Sequence, residues 1–206
     1  MILIIGIIVS YFIGSIPTAY IFGWVLKGID IRKFGSGNVG ATNAMRVLGK
    51  PAGMTVLALD ILKGFLAVVF LGDFMALRIA GLSEETLRII LGLSCISGHN
   101  WTIFLRFKGG KGVATTFGVL LGLAVKIGGL KVILGLAILT WLGVFMITRI
   151  VSVASILTGI SLPIYTVLFK QSPALVFLSI ILAIFILLRH RANLKRIFQG
   201  KEKRLF

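Results

Sequence analysis

The first 26 residues, Met1 to Leu26, carry no charged side chain. A stretch of that length excludes most soluble architectures, because an apolar helix of roughly 20 residues is what crosses a bilayer core about 30 Å thick. In lipid a helix satisfies its own backbone N–H and C=O groups, which an irregular segment cannot do. The stretch has no basic leader and no Ala-x-Ala cleavage pattern, so it reads as a retained span rather than a signal peptide. Comparable apolar runs follow at about 51–72, 86–105, 113–125, 130–148, 150–169 and 173–188. The expected fold is therefore all-α and polytopic: seven transmembrane helices in a single membrane domain, 1–206, with a basic tail over 189–206. Composition agrees, with 58% hydrophobic residues, 14% charged ones and a mean hydropathy of +1.07. A soluble domain carries about a quarter charged residues. A water-soluble globule and a disordered chain are both excluded.

The net charge of +16 would by itself suit nucleic acid. In so apolar a chain it reads instead as basic loops on the cytoplasmic side of a membrane. With the N-terminus outside, the inner segments hold 16 of the 22 Lys and Arg residues and the outer segments 5, while Lys63 lies inside a span. That bias places the C-terminus in the cytoplasm and makes membrane lipid, not nucleic acid, the expected surroundings. The lone cysteine, Cys95, forbids an internal disulfide. The two histidines and six acidic residues show no metal-ligand spacing, so neither a metal nor a cofactor is expected. Nothing in the sequence demands more than a monomer.

Polar residues concentrate in Gly35-Ser36-Gly37-Asn38-Val39-Gly40-Ala41-Thr42-Asn43, with Arg46 beyond, and in Phe107-Lys108-Gly109-Gly110-Lys111-Gly112. Ser152 and Ser155 begin the sixth run, and His190 and Asn193 follow the seventh. The expected topology puts all four segments at the inner face. Glycine-rich backbone can aim successive N–H groups at one oxyanion, and Lys, Arg, Ser, Thr and Asn add charge and donors. A glycine-rich turn and a topogenic basic cluster account for the same residues equally well. The first loop fits G-x-G-x-x-G but has no preceding strand, and Ala41 stands where a Walker motif requires lysine. Asp60 and Lys63 lie three apart in the second run and share a helix face, so they suit a structural ion pair better than direct catalysis. His99 suits either an interhelical hydrogen bond or general-base work.

Taken together, these stretches resemble the bacterial acyl-phosphate-dependent glycerol-3-phosphate acyltransferases (the PlsY family). The first loop with Arg46, Asp60-x-x-Lys63-Gly64, Gly98-His99, Phe107 to Thr115, Val151-Ser152-x-Ala154-Ser155 and Arg189-His190-Arg191-x-Asn193 occur in the family's order. Thr102 and Ala192 depart from it, replacing a proline and an acidic residue. The resemblance implies acyl transfer from acyl-phosphate to the 1-hydroxyl of sn-glycerol 3-phosphate, giving lysophosphatidic acid and phosphate. It implies the first acylation of phospholipid synthesis, at the cytoplasmic face of the bacterial plasma membrane, with neither acyl-CoA nor acyl-carrier protein as donor. The His-x4-Asp motif of acyl-CoA-type enzymes is absent, since Phe104 follows His99 at that spacing. Implied roles are a phosphate clamp of Ser36, Gly37, Asn38, Thr42, Asn43, Arg46, Lys108, Gly109, Gly110 and Lys111. Ser152, Ser155, His190 and Asn193 would complete the glycerol-phosphate pocket. Lys108, His99 and His190 are the catalytic candidates, with a donor phosphate oxygen the favoured proton acceptor. A phosphate transporter and a non-catalytic scaffold are the competing readings. A transporter would spread its binding groups toward the midplane or both faces.

Overall fold

A computed structural model describes residues 1–205; among these there is no β-strand. The chain divides into two compact units, one over Met1–Lys126 and one from Ile127 onward.

In the first unit, α1 (Ile2–Ser15) and α2 (Thr18–Lys27) share one apolar run broken at Ile16-Pro17. Proline lacks an N–H and pushes the preceding residue out of helical geometry, and Ile16 is extended, with ψ 113°. The carbonyls freed by the break find side-chain donors. Lys63 Nζ lies 2.8 Å from the Ile16 oxygen and 3.3 Å from that of Gly14, and Thr102 Oγ1 donates to the Ser15 oxygen at 2.6 Å. Thr102, flagged in the sequence as a departure, thus has a specific partner.

A short helix not expected from the apolar pattern, α3 (Ala41–Leu48), follows the first glycine loop and packs on α4 (Lys50–Val68). α4 opens with Pro51 in its first turn, where the missing N–H costs nothing. It continues into α5 (Phe70–Ala76), and α6 (Glu84–Asn100) and α7 (Val113–Lys126) complete the unit. α6 packs on α1, and α7 on α4, through glycines: a methyl at Gly14 would overlap the Cys95 carbonyl, and one at Gly118 the Ile61 carbonyl. Small residues let backbones approach where there is no hydrophobic drive between lipid-bathed helices. Ser10 and Ser94 bond across α1 and α6, to the Leu91 and Ile7 carbonyls at 2.6 and 2.7 Å. The expected run 86–105 ends as helix at Asn100, because Thr102 caps a separate turn at Ile103–Leu105.

The second unit holds α8 (Leu130–Thr148), α9 (Val151–Leu168), α10 (Pro173–Arg189) and the tail helix α11 (Arg191–Phe198). α9 packs against both α8 and α10. Thr140 and Tyr165 hydroxyls meet at 2.7 Å, and Thr166 and Ser179 at 3.0 Å. The tail returns so that the Leu205 N–H reaches the Arg149 carbonyl at 2.9 Å.

Among the described residues, four helical segments are long and apolar enough to cross a membrane: Ile2–Lys27, Lys50–Ala76, Leu130–Thr148 and Val151–Leu168. The count becomes five if Pro173–Arg189 and Arg191–Phe198, bent by 62°, form one span. α6, with 17 residues, and α7, with 14, are shorter. The polarity is that of a soluble protein turned inside out. Ile147 and Leu77 are each 85% exposed, while Asp60, Lys63 and Arg88 are buried.

Candidate active site

The first glycine loop is built by side chains that spend their donors on it. Asp30 caps the turn at Ile31–Lys33 and holds the Arg32 guanidinium through Nε at 2.9 Å and Nη2 at 2.7 Å. That hydrogen-bonded guanidinium keeps the Asp30 carboxyl below the usual carboxylate range. Gly35 and Gly37 adopt left-handed φ of +61° and +70°, which permits the reversal into α3. Asn43 is wholly buried beneath them: its Oδ1 accepts from the Ser36 N–H at 2.8 Å. Its Nδ2 donates to the Phe34 and Ile31 carbonyls at 3.1 and 3.3 Å. Asn43 and the Ser36 N–H thus brace the loop. Ser36 and Arg46 stay exposed, while Asn38 and Thr42 are half-buried.

The second loop is pinned to the end of α6 in the same way. The Gly109 N–H donates to the Asn100 carbonyl at 3.2 Å and the Gly110 N–H to that of His99 at 3.0 Å. These two N–H groups satisfy terminal carbonyls of α6 that would otherwise lack partners. Glycine is needed here for space. A Cβ on Gly109 would strike the His99 carbonyl, and one on Gly110 would strike His99 Nε2. What the loop displays is the exposed Lys108 and half-buried Lys111, just ahead of the α7 N-terminus, the positive pole of that helix.

The two loops meet. A Cβ placed on Gly110 would lie 2.7 Å from the Val39 carbonyl oxygen of the first loop. His99 sits beside that contact in a buried polar cluster. Lys63 Nζ lies 2.8 Å from Asp60 Oδ1 and 3.3 Å from His99 Nδ1, and the Thr18 hydroxyl bonds Asp60 Oδ1. All four side chains are at least nine-tenths buried. Charges at such depth are tolerated when paired and hydrogen-bonded.

In the second unit, Ser152, Asn193 and Arg196 converge on Glu202. Their distances to its carboxylate are 2.8 Å from Ser152 Oγ, 2.5 Å from Asn193 Nδ2 and 2.6 Å from Arg196 Nε. Burial alone would raise the Glu202 carboxyl, but bonds from Arg196, Asn193 and Ser152 outweigh it and hold the group below its ordinary value. Ser155 Oγ donates to the Val151 carbonyl at 2.8 Å and accepts from Trp141 Nε1 at 3.3 Å, so its hydroxyl is committed to packing. His190 is buried with Nδ1 2.8 Å from the Ile186 carbonyl. Among the described residues, no group of three or more His, Cys, Asp and Glu side chains is placed to hold a metal ion.

Residues 4–200 match the family model described as glycerol-3-phosphate acyltransferase. The chain belongs to the glycerol-3-phosphate acyltransferase family. A glycerol-3-phosphate acyltransferase of Staphylococcus haemolyticus is 42% identical, with 100% of this chain and 98% of that protein aligned. One from Chlorobium phaeobacteroides (strain DSM 266) is 40% identical over 96% of this chain and 94% of that protein. Among solved structures, the glycerol 3-phosphate form of PlsY (YgiH), an integral membrane glycerol 3-phosphate acyltransferase, superposes with a TM-score of 0.82. It is 35% identical, with 98% of this chain and 94% of that one covered. The lysophosphatidic acid form superposes at 0.81. The chain is thus a membrane-embedded, all-helical member of this acyltransferase family.

Sequence reasoning missed Glu202 in this family member. The available signal was a lone acid among the Lys and Arg residues of the tail. An acid there needs partners, and the side chains that supply them lie as far as 50 residues away, at Ser152.

Proposed function

We propose that this family member transfers an acyl group from acyl-phosphate to the 1-hydroxyl of sn-glycerol 3-phosphate. The products are 1-acyl-glycerol 3-phosphate and inorganic phosphate. The observation that carries the reading is the meeting of two glycine loops at Val39 and Gly110, which brings the cationic loop of Lys108 and Lys111 against the loop leading to Arg46. Family membership supports the acceptor. The choice of acyl-phosphate as donor rests on the motif resemblance and on the absence of a His-x4-Asp motif.

In this mechanism Lys108, Lys111 and Arg46 hold phosphate, assisted by the Ser36 hydroxyl, Asn38 and Thr42. Gly37, Gly109, Gly110 and the buried Asn43 shape the cradle. The hydroxyl oxygen attacks the acyl carbon, and the carbon–oxygen bond to phosphate then breaks. The phosphate leaves carrying the hydroxyl proton, so no covalent enzyme intermediate and no separate base are needed. The cations stabilise charge on the tetrahedral intermediate and on departing phosphate, and positioning supplies the rest. Assignment of Ser152, Ser155, His190 and Asn193 to glycerol 3-phosphate rests on the motif resemblance. Ser155 is its weakest member, because its proton goes to Val151.

The seven helical segments are taken to cross the bacterial plasma membrane with the N-terminus outside and the glycine loops facing the cytoplasm. The distribution of Lys and Arg supports that orientation. The test uses purified chain in lipidic mesophase with palmitoyl phosphate and glycerol 3-phosphate, following phosphate release, with palmitoyl-CoA as control donor. Release that requires both substrates, forms lysophosphatidic acid and fails with the CoA ester is expected. Folded protein that releases no phosphate but exchanges glycerol 3-phosphate across liposomes would instead mark a transporter.

A further inference from the structure

We infer that His99 acts as a hydrogen-bond donor and not as the base: its neutral ring carries its proton on Nε2, at the seam of the two glycine loops. The inference deepens the acyl-transfer reading and rests on it for its catalytic meaning, but the tautomer is argued from geometry alone.

Lys63 decides which ring nitrogen is bare. Its ammonium lies 2.8 Å from Asp60 Oδ1, 2.8 Å from the Ile16 carbonyl, 3.3 Å from the Gly14 carbonyl and 3.3 Å from His99 Nδ1. An ammonium has three hydrogens and no lone pair. With two directed along the 2.8 Å contacts to Asp60 and Ile16, the third is shared between the Gly14 carbonyl and His99, toward which Lys63 can only donate. A proton on Nδ1 would point at those hydrogens. Nor can Nδ1 turn to the carboxylate instead, because Asp60 Oδ1 is 3.8 Å away, beyond hydrogen-bond range. Nδ1 is therefore the acceptor, and the neutral ring holds its hydrogen on Nε2.

The fold fixes this choice far from the loops. Lys63 is held by the Gly14 and Ile16 carbonyls, which point inward because Pro17 breaks the first span. Asp60, locked by Thr18, supplies the countercharge. The other side of the ring faces the glycine loops. A methyl on Gly110 would strike Nε2, and the same point lies 2.7 Å from the Val39 carbonyl. A general base here would need a lone pair on Nε2. The cluster supplies a hydrogen instead, oriented before substrate arrives, which favours anionic oxygen at the seam. His190 is held the opposite way. Its Nδ1 faces the Ile186 carbonyl, which can only accept, so Nδ1 carries the proton and the neutral ring's lone pair is on Nε2.

With only two histidines in the chain, the test is direct. Full-length protein labelled with 15N-histidine is reconstituted in nanodiscs at pH 7.5, with His190→Gln used only to assign the signals. Long-range 1H–15N spectra should show His99 with a bare Nδ1 and a protonated Nε2. A protonated Nδ1 on His99 overturns the inference, whether or not the preparation transfers acyl groups. Two variants then test the role. Glutamine keeps an N–H donor near the Nε2 position but cannot take a proton as a base. His99→Gln is expected to lower kcat by about tenfold or less, whereas His99→Leu should lower it about 10²–10³-fold with little change in KM, the range for loss of one preorganised donor. Equal loss in two folded variants would overturn the donor role. If His99→Leu does not fold, the wild-type spectrum and His99→Gln still decide.

Discussion

Replacing Lys63 by methionine should destabilise this protein more than almost any other single substitution, and a second substitution at Asp60 should recover part of the loss. Lys63 is 5% exposed and bonds Asp60 Oδ1 and the Ile16 carbonyl, each at 2.8 Å. Lys63→Met leaves the Asp60 carboxylate buried, bonded by the Thr18 hydroxyl but without its countercharge, and breaking a buried pair by removing one member costs about 3–5 kcal/mol. Asp60→Leu strands the ammonium at a similar cost. Additivity would put the double variant about 6–10 kcal/mol below wild type. The double variant, however, contains no buried charge in the cluster. What remains lost are chiefly the bonds to the Ile16 and Gly14 carbonyls, worth about 1–3 kcal/mol for each group left without a partner, together with the longer contact to His99 Nδ1 and the Thr18 bond to Asp60. The carbonyls set the expected double-variant deficit at about 2–6 kcal/mol, comparable to either single variant and below their sum. At roughly 2–4 °C per kcal/mol for a chain of this size, each single variant should melt about 6–20 °C below wild type. Fluorescence-detected thermal unfolding of the purified variants in one detergent reads this ordering. A double variant whose Tm loss equals the sum of the singles would refute the ion pair as the organising element of the cluster.

Three further outcomes follow from the same geometry. Lys108→Ala, Arg46→Ala and Asn193→Ala should each sharply reduce phosphate release, by about 10²-fold or more for a lost charge-stabilising contact, while the protein stays folded in size-exclusion chromatography; wild-type turnover in all three would sink the phosphate-clamp assignment. Gly110→Ala forces a methyl against His99 Nε2 and the Val39 carbonyl, so it should cost about 1–3 kcal/mol by overpacking and lower kcat/KM; unchanged activity would show that the seam tolerates displacement. The Glu202 carboxyl titrates lower when the tail is docked than when it is free, so its contribution to docking is present above about pH 4.5 and is lost as pH falls through the lowered value. Anisotropy of a fluorophore on a cysteine added after the C-terminus should therefore hold until below that pH in wild type, and be low at every pH in Glu202→Gln; a parallel pH response in both would remove Glu202 as the anchor.

Much of the fold was legible because it is local. Apolar runs specify helices wherever lipid forbids any other way of satisfying the backbone, and Ile16-Pro17 and Lys50-Pro51 mark a break and a start through the missing N–H of proline. The pairing of Asp60 with Lys63 needed only three-residue helical spacing. α3 was not legible, because its eight residues follow the glycine loop and lie outside every apolar run. Glycine, asparagine and lysine in two loops pointed to anion chemistry by residue type, but type does not say where a donor is spent. Asn43 faces the Ile31 and Phe34 carbonyls, the Gly109 and Gly110 N–H groups cap α6, and Ser155 bonds within its own helix. Each of these is settled by what stands within about 3 Å, and hydrogen-bond satisfaction is a property of the packed whole. Residue order and type were enough to specify a helical membrane protein with two cationic glycine loops. That Lys63 reaches back to the broken first span, that His99 is held by it, and that Glu202 draws Ser152, Asn193 and Arg196 together follows from packing alone, because those contacts join residues that no local pattern links.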